Sequence, residues 1–129
     1  MSVIPESHRD LLERALFGHF ATLRPDGSPQ VNPVWFRWDG ERIWFTTETR
    51  RYKYRNVAKD ARAALSVNDP DQPYRYLEVR GTVDRIVDDP STDGFFELAD
   101  RYGMTFERPI PDAPYRVLLG LRPERVSFQ

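Results

Sequence analysis

Apolar positions recur at two different periods along this chain. Near its start, Leu11, Leu12, Ala15 and Leu16 cluster at helical spacing. Pro5 suits a first turn and Gly18 a stop, so a helix is predicted over residues 5–17. The period then shortens to two. Strands are predicted at 19–23, 30–38 and 42–47, separated by Asp26-Gly27 and Asp39-Gly40, which are strong hairpin turn signals. A short helix follows at 53–60, with Tyr54, Val57, Ala58 and Ala61 as its apolar side. Residues 63–67 read as a fourth strand and 68–73 as a breaker-rich loop. Residues 74–87 form a long strand in which Gly81 marks a bulge or bend. Phe95, Leu98, Ala99 and Tyr102 stand at i, i+3, i+4 and i+7, predicting a helix over 91–102. A Pro-rich loop at 103–114 leads to closing strand at 115–121 and 124–128. The pattern amounts to about six short strands and three helices, mostly antiparallel, and so to a small closed barrel with helical decoration.

Composition adds limits. The 129 residues match one domain, read here as residues 1–129. Lysines and arginines number 19 against 20 acids, a net charge of −1, so general affinity for nucleic acid or for a membrane surface is not expected. Cysteine is absent, which excludes disulfides and thiolate chemistry. No apolar signal segment follows Met1 and no apolar run reaches the length of a membrane span, so a cytoplasmic address is expected.

Charge is concentrated in one place. Between Arg50 and Arg62 there are six cations and one anion, Asp60. The run starts at a strand-to-helix junction with Tyr52 and Tyr54 interleaved. Guanidinium forks and the free N–H groups of a helix start suit a phosphate carried by a flat ring. A solvated helix face is the plain alternative. In the second strand, Pro33 cannot donate to a ladder and so belongs at an edge or a break. Trp35 next to it could wall a planar ring, or it could be a core or dimer aromatic like Phe36 and Trp38. Metal and nucleophile chemistry find no support: His8 and His19 lack ligand spacing, and no nucleophile elbow or phosphate-binding glycine loop is present. Chemistry in such a chain would come from a bound cofactor.

Five stretches in order give a resemblance: Phe20 to Gln30, Pro33-Val34-Trp35-Phe36, Trp44-Phe45-Thr46-Thr47, Lys53-Tyr54-Arg55-Asn56 and Tyr74 to Gly81. Together they resemble the pyridoxamine 5′-phosphate oxidase-like split β-barrel superfamily, and within it the small deazaflavin (coenzyme F-420)-dependent oxidoreductases of actinobacteria. The resemblance implies a mainly β fold with helices (α+β), a six-stranded antiparallel split barrel of the FMN-binding kind. It also implies a homodimer with the cofactor in a groove between subunits. By position, Lys53, Arg55 and Asn56, with Arg51 beside them, would hold the cofactor's phosphate. Thr46 and Thr47 would border that phosphate, and Pro33, Val34 and Trp35 would run beside the ring. No catalytic residue is assigned. The implied activity is hydride transfer to an unsaturated small-molecule acceptor, with coenzyme F-420 as cofactor and FMN as the alternative. A non-catalytic flavin or haem carrier is the rival of another class. The relatives' Asp-Pro-Arg at the helix end is Asp60-Ala61-Arg62 here. The chain also lacks the C-terminal Arg/His motif of true pyridoxamine phosphate oxidases, so pyridoxal phosphate synthesis is not expected.

Overall fold

The computed structural model describes residues 2–129. Its framework is one seven-stranded antiparallel sheet. In chain order the strands are β1 (Gly18–Leu23), β2 (Pro29–Val34), β3 (Arg37–Trp38), β4 (Ile43–Glu48), β5 (Arg62–Asp69), β6 (Gln72–Asp88) and β7 (Arg116–Phe128). Across the sheet they run β2-β1-β5-β6-β7-β4-β3. The two edge strands, β2 and β3, are therefore neighbours in sequence, separated only by Trp35 and Phe36. A sheet whose outer edges are tied by so short a link must curl until those edges approach. The result is a curled half-barrel whose two edges are joined by that link.

Both Asp-Gly turns form as the sequence predicts. Gly27 has φ +85° and Gly40 φ +97°, left-handed values that glycine adopts without Cβ strain. Asp26 accepts from the Ser28 N–H at 3.0 Å, and Asp39 from the N–H groups of Glu41 and Arg42 at 2.8 and 2.7 Å. The Gly81 expectation also holds: pairing with β7 slips between Arg80 and Gly81. A Cβ at Gly81 would lie 1.9 Å from the Arg122 carbonyl oxygen, so only glycine permits this approach.

Three expectations are corrected. The barrel has seven strands rather than six, because the predicted strand over 30–38 breaks at Trp35-Phe36 into β2 and β3. The helix predicted over 5–17 shrinks to a helical turn at Glu6–His8 and α1 (Asp10–Glu13). Its next carbonyls are taken by Arg101, which donates to Leu12, Glu13 and Arg14 oxygens at 3.1, 3.3 and 2.8 Å. The breaker-rich loop over 68–73 contracts to a turn at Pro70-Asp71 between β5 and β6.

The barrel interior is filled by alternate residues of the strands. Phe20 and Phe45 stack at 4.2 Å, surrounded by Phe36, Ile43, Leu65, Leu77 and Leu119. Each such side chain contributes about 1.5–3 kcal/mol on burial. Leu11 and Leu12 of α1 join this core, as does Val57 of α2 (Tyr52–Lys59). A smaller cluster forms under α3 (Asp93–Arg101), where Phe95 and Ala99 meet Ile110 of the Pro-rich loop. No helix among the described residues is long and apolar enough to cross a membrane.

Candidate functional site

Strand ends β2 and β4, the start of β7 and the start of α2 converge around one cleft of about 460 Å³. Pro33 and Val34 line it from the end of β2 and Trp35 from the link after it, with Phe17 just ahead of β1. Thr46 and Arg116 line it from β4 and β7, Lys53 from α2 and Arg51 from the N-cap position just before that helix. Trp35 sits in the break that ends β2, and its ring lies nearly parallel to that of Tyr102, 5.5 Å away at 15°. Phe17 leans on the same Tyr102 ring at 5.7 Å. Of the three aromatics in the predicted second strand, Trp35 faces the cleft. Phe36 is fully buried in the core, and Trp38 packs against that core.

The break is built by hydrogen bonds from the end of α3. The Phe36 N–H donates to the Tyr102 oxygen at 3.0 Å, and the Tyr102 O–H donates to the Leu16 carbonyl at 2.6 Å. The Arg101 Nε donates to the Phe36 carbonyl at 2.9 Å. The backbone groups that a continuous strand would pair across a ladder are thus satisfied by side chains.

The cations of the basic segment separate into three groups. Arg50 is bound to Glu48 at 2.7 Å and lies over Tyr115, and Arg62 is bound to Asp60 at 2.7 Å. Arg55 and Lys59 are exposed, Arg55 lying 5.8 Å over the Tyr52 ring. Arg51 and Lys53 line the cleft, and neither has an ion pair among the described residues. Burial pushes the Lys53 amine below its ordinary pKa, and the charges of Arg51 and Arg116 push it further the same way. The start of α2 adds to this positive field: it has no side-chain cap and no acid in its first turn. Two cations without ion pairs, an uncapped helix start and an aromatic ring thus share one cleft, a combination chemically suited to an anionic group attached to a ring.

Not every residue singled out from the sequence reaches this cleft. Pro33, Val34, Trp35, Thr46, Arg51 and Lys53 are brought together. Thr47 is buried, opposite Val117 in the ladder. Asn56 is 2% exposed and turned into the fold, its amide donating to Thr22 Oγ1 at 3.0 Å and Gln30 Oε1 at 3.3 Å. Arg55 lies on the solvent side. Sequence reasoning missed Arg116. Its Nη1 donates to Asp112 at 3.0 Å and its Nη2 to Thr46 Oγ1 at 2.6 Å, while its guanidinium lies 4.8 Å over Phe95. One arginine opening a predicted strand carries no local signal. The signal lies in the pairing of β7 with β4, a long-range fact. The loop over 103–114 packs behind the cleft through Phe106, 6.4 Å from Trp35, and through Asp112. The turn at 70–71 contributes none of the lining; there Asp69 binds Arg75 and Arg14.

Comparison with known proteins agrees with this architecture. The family model described as pyridoxamine 5′-phosphate oxidase matches residues 4–129. The chain belongs to the pyridoxamine 5′-phosphate oxidase family. Among solved structures of this fold, a protein named F420 reductase is 52% identical, with a TM-score of 0.94 over 98% of this chain and 100% of that one. A conserved hypothetical protein of Mycobacterium tuberculosis is 25% identical, with a TM-score of 0.73 over 96% of this chain and 83% of its own. A putative pyridoxamine 5′-phosphate oxidase of Listeria innocua, 17% identical with a TM-score of 0.73 over 95% of both chains, shares the fold. No curated protein matches the chain. Family membership covers the stretches that carried the resemblance, including the basic segment and the Trp35 strand.

Proposed function

We propose that this protein is a deazaflavin (coenzyme F-420)-dependent oxidoreductase that reduces an unsaturated small molecule. The observation that carries the reading is Lys53: a half-buried ammonium flanked by Arg51 and Arg116, without a carboxylate partner among the described residues, in the same cleft as Trp35. The 52% identity to the F420 reductase over nearly the whole chain supports it. The donor set fits a phosphate. Arg51 and Lys53 would hold it with the first N–H groups of α2, and Thr46 would meet it from β4. Trp35 and Phe17 would flank the ring. When bound, a reduced deazaflavin supplies a hydride for transfer.

The protein's share is placement and shielding. Among the described residues the cleft is lined by cations, Thr46 and apolar or aromatic side chains, which bind and orient a ligand. That task is to hold donor and acceptor carbons about 3–3.5 Å apart, with water displaced by Trp35 and Phe17, while the proton that completes the reduction is drawn from solvent. A homodimer that covers the open side of the cleft belongs to the same reading, as does a small-molecule hydride acceptor. FMN stays as the second cofactor because the cleft's two free cations are enough for a single phosphate. The preference for the deazaflavin rests on the 52% identity to the F420 reductase.

The test is stopped-flow absorbance. Protein is equilibrated with reduced deazaflavin and mixed with a panel of enone, quinone and tetrapyrrole-like acceptors, with FMN run in parallel. Oxidation is expected to be much faster with the wild-type protein than without it. Lys53→Ala should weaken cofactor binding by about 1–3 kcal/mol and abolish the acceleration. Tight binding without acceleration across the panel would make the protein a carrier, and preferential turnover with FMN would reassign the cofactor.

A further inference from the structure

Thr46 lines the cation cleft, and one side of its hydroxyl is already engaged. Arg116 Nη2 lies 2.6 Å from Thr46 Oγ1. A guanidinium has donors and no acceptor, so the hydroxyl oxygen accepts in this bond. Its own hydrogen then has no acceptor in a side-chain hydrogen bond among the described residues, while the residue borders the cleft. The orientation follows from strand register. Thr46 stands opposite Leu118 and Glu48 opposite Arg116, which puts Thr46 and Arg116 on one face as diagonal neighbours.

Arg116 is fixed from behind. Asp112 holds Nη1 at 3.0 Å, Phe95 lies under the guanidinium at 4.8 Å, and the side chain is 10% exposed. Its Nε is buried with no partner. Fold stability alone favours an arrangement that satisfies every donor. Here the fork is instead aimed so that one arm meets Asp112 and the other meets Thr46.

We infer that Arg116 is a positioning residue that makes Thr46 a hydrogen-bond donor toward the cleft, so that this wall selects a ligand oxygen that only accepts, such as one on a dianionic phosphate. The charge on Arg116 also polarises the hydroxyl and strengthens the bond it gives. The inference rests on the cleft being the cofactor's anion site.

Cofactor affinity tests it, read by deazaflavin fluorescence in single and double variants. Thr46→Val keeps the shape and removes the hydroxyl; affinity should fall about tenfold, the worth of one charge-assisted hydrogen bond. Thr46→Ser should bind like wild type. Arg116→Met should also weaken binding, and in that background Thr46→Val should have little further effect, since nothing then orients the hydroxyl. If Arg116→Met fails to fold, Arg116→Lys serves, because an ammonium keeps the charge but cannot reach Thr46 and Asp112 as a fork. Equal losses for Thr46→Val in both backgrounds, or wild-type affinity for Thr46→Val alone, would overturn the inference. Lys53→Ala separates the two levels. Unchanged affinity in Lys53→Ala removes the anion site itself. Weakened affinity there, with Thr46 and Arg116 uncoupled, removes only the positioning role.

Discussion

Lys53 stands where folding alone disfavours an ammonium. Its amine is partly withdrawn from water, then repelled by Arg51 and Arg116, and its pKa lies below the ordinary lysine value of 10.5. The sign follows from linkage. Between the lowered folded value and 10.5 the unfolded chain binds more protons than the folded one, so stability rises with pH across that window. Below the folded value the full cost of the buried charge is present. Lys53→Met should therefore stabilise the cofactor-free protein near neutrality, by at most about 1 kcal/mol because the amine is still screened by solvent. The gain should shrink as pH approaches 10.5. Thermal melts at neutral and alkaline pH check this, and a loss of stability in Lys53→Met at neutral pH would contradict it. On the proposed reading the same substitution should weaken cofactor binding, so that stability and function oppose each other at one atom. The density of cations around this residue was legible in the sequence. Which of them share a surface was not read, because a motif taken as a block ignores helical rotation. Residues two apart on α2, such as Lys53 and Arg55, point to opposite flanks, while Tyr52 and Asn56, four apart, share one.

At the scale of elements, the break between β2 and β3 is the feature on which the cleft depends. A continuous strand over 30–38 would bury or expose Trp35 by simple alternation. The break frees it to lie on Tyr102 and face the cleft. Tyr102 takes the Phe36 N–H and gives its own proton to Leu16, so Tyr102→Phe leaves two backbone groups short of partners. The expected cost is about 1–3 kcal/mol in a denaturant titration. Cofactor affinity should drop with it, because Trp35 and Phe17 both rest on that ring. A variant with wild-type stability would mean that the break is maintained by Arg101 and packing alone. Local chemistry explains which elements were legible. Asp-Gly turns, the Gly81 bulge and the position of Pro33 on an edge strand follow from a few adjacent residues. The shortened first helix does not, because the group that ends it, Arg101, is 89 residues away from the Leu12 carbonyl it captures. The strand break has the same origin in Tyr102, 66 residues from Phe36.

For the whole molecule, the curled sheet leaves apolar surface on its outside. A groove on the outer face of β1, β5 and β6 is floored by Ala21, Leu23, Ala64 and Gly81, with Arg80, Arg125 and Glu124 at its rim. Small side chains make this face flat enough for another sheet to approach, and a rim carrying both signs of charge can complement itself about a two-fold axis. Elsewhere Phe17 is 62% exposed at the cleft mouth, and Val31 is 58% exposed on edge strand β2. Apolar area of this extent on a small chain normally finds a partner. A second copy is the simplest one, since such a rim can pair with itself, and a copy that also reaches the cleft mouth would exclude water there. Sedimentation at micromolar concentration should therefore give twice 15.2 kDa. Ala64→Glu, which puts a carboxylate in the middle of the flat face, should shift the protein toward monomer. Cofactor affinity should fall with it, although the substitution touches none of the cleft residues. A dimer unaffected by Ala64→Glu would move the interface to another face. A monomeric wild type would leave the cleft open to solvent and would weaken the case for hydride transfer there, since shielding from water would be lost.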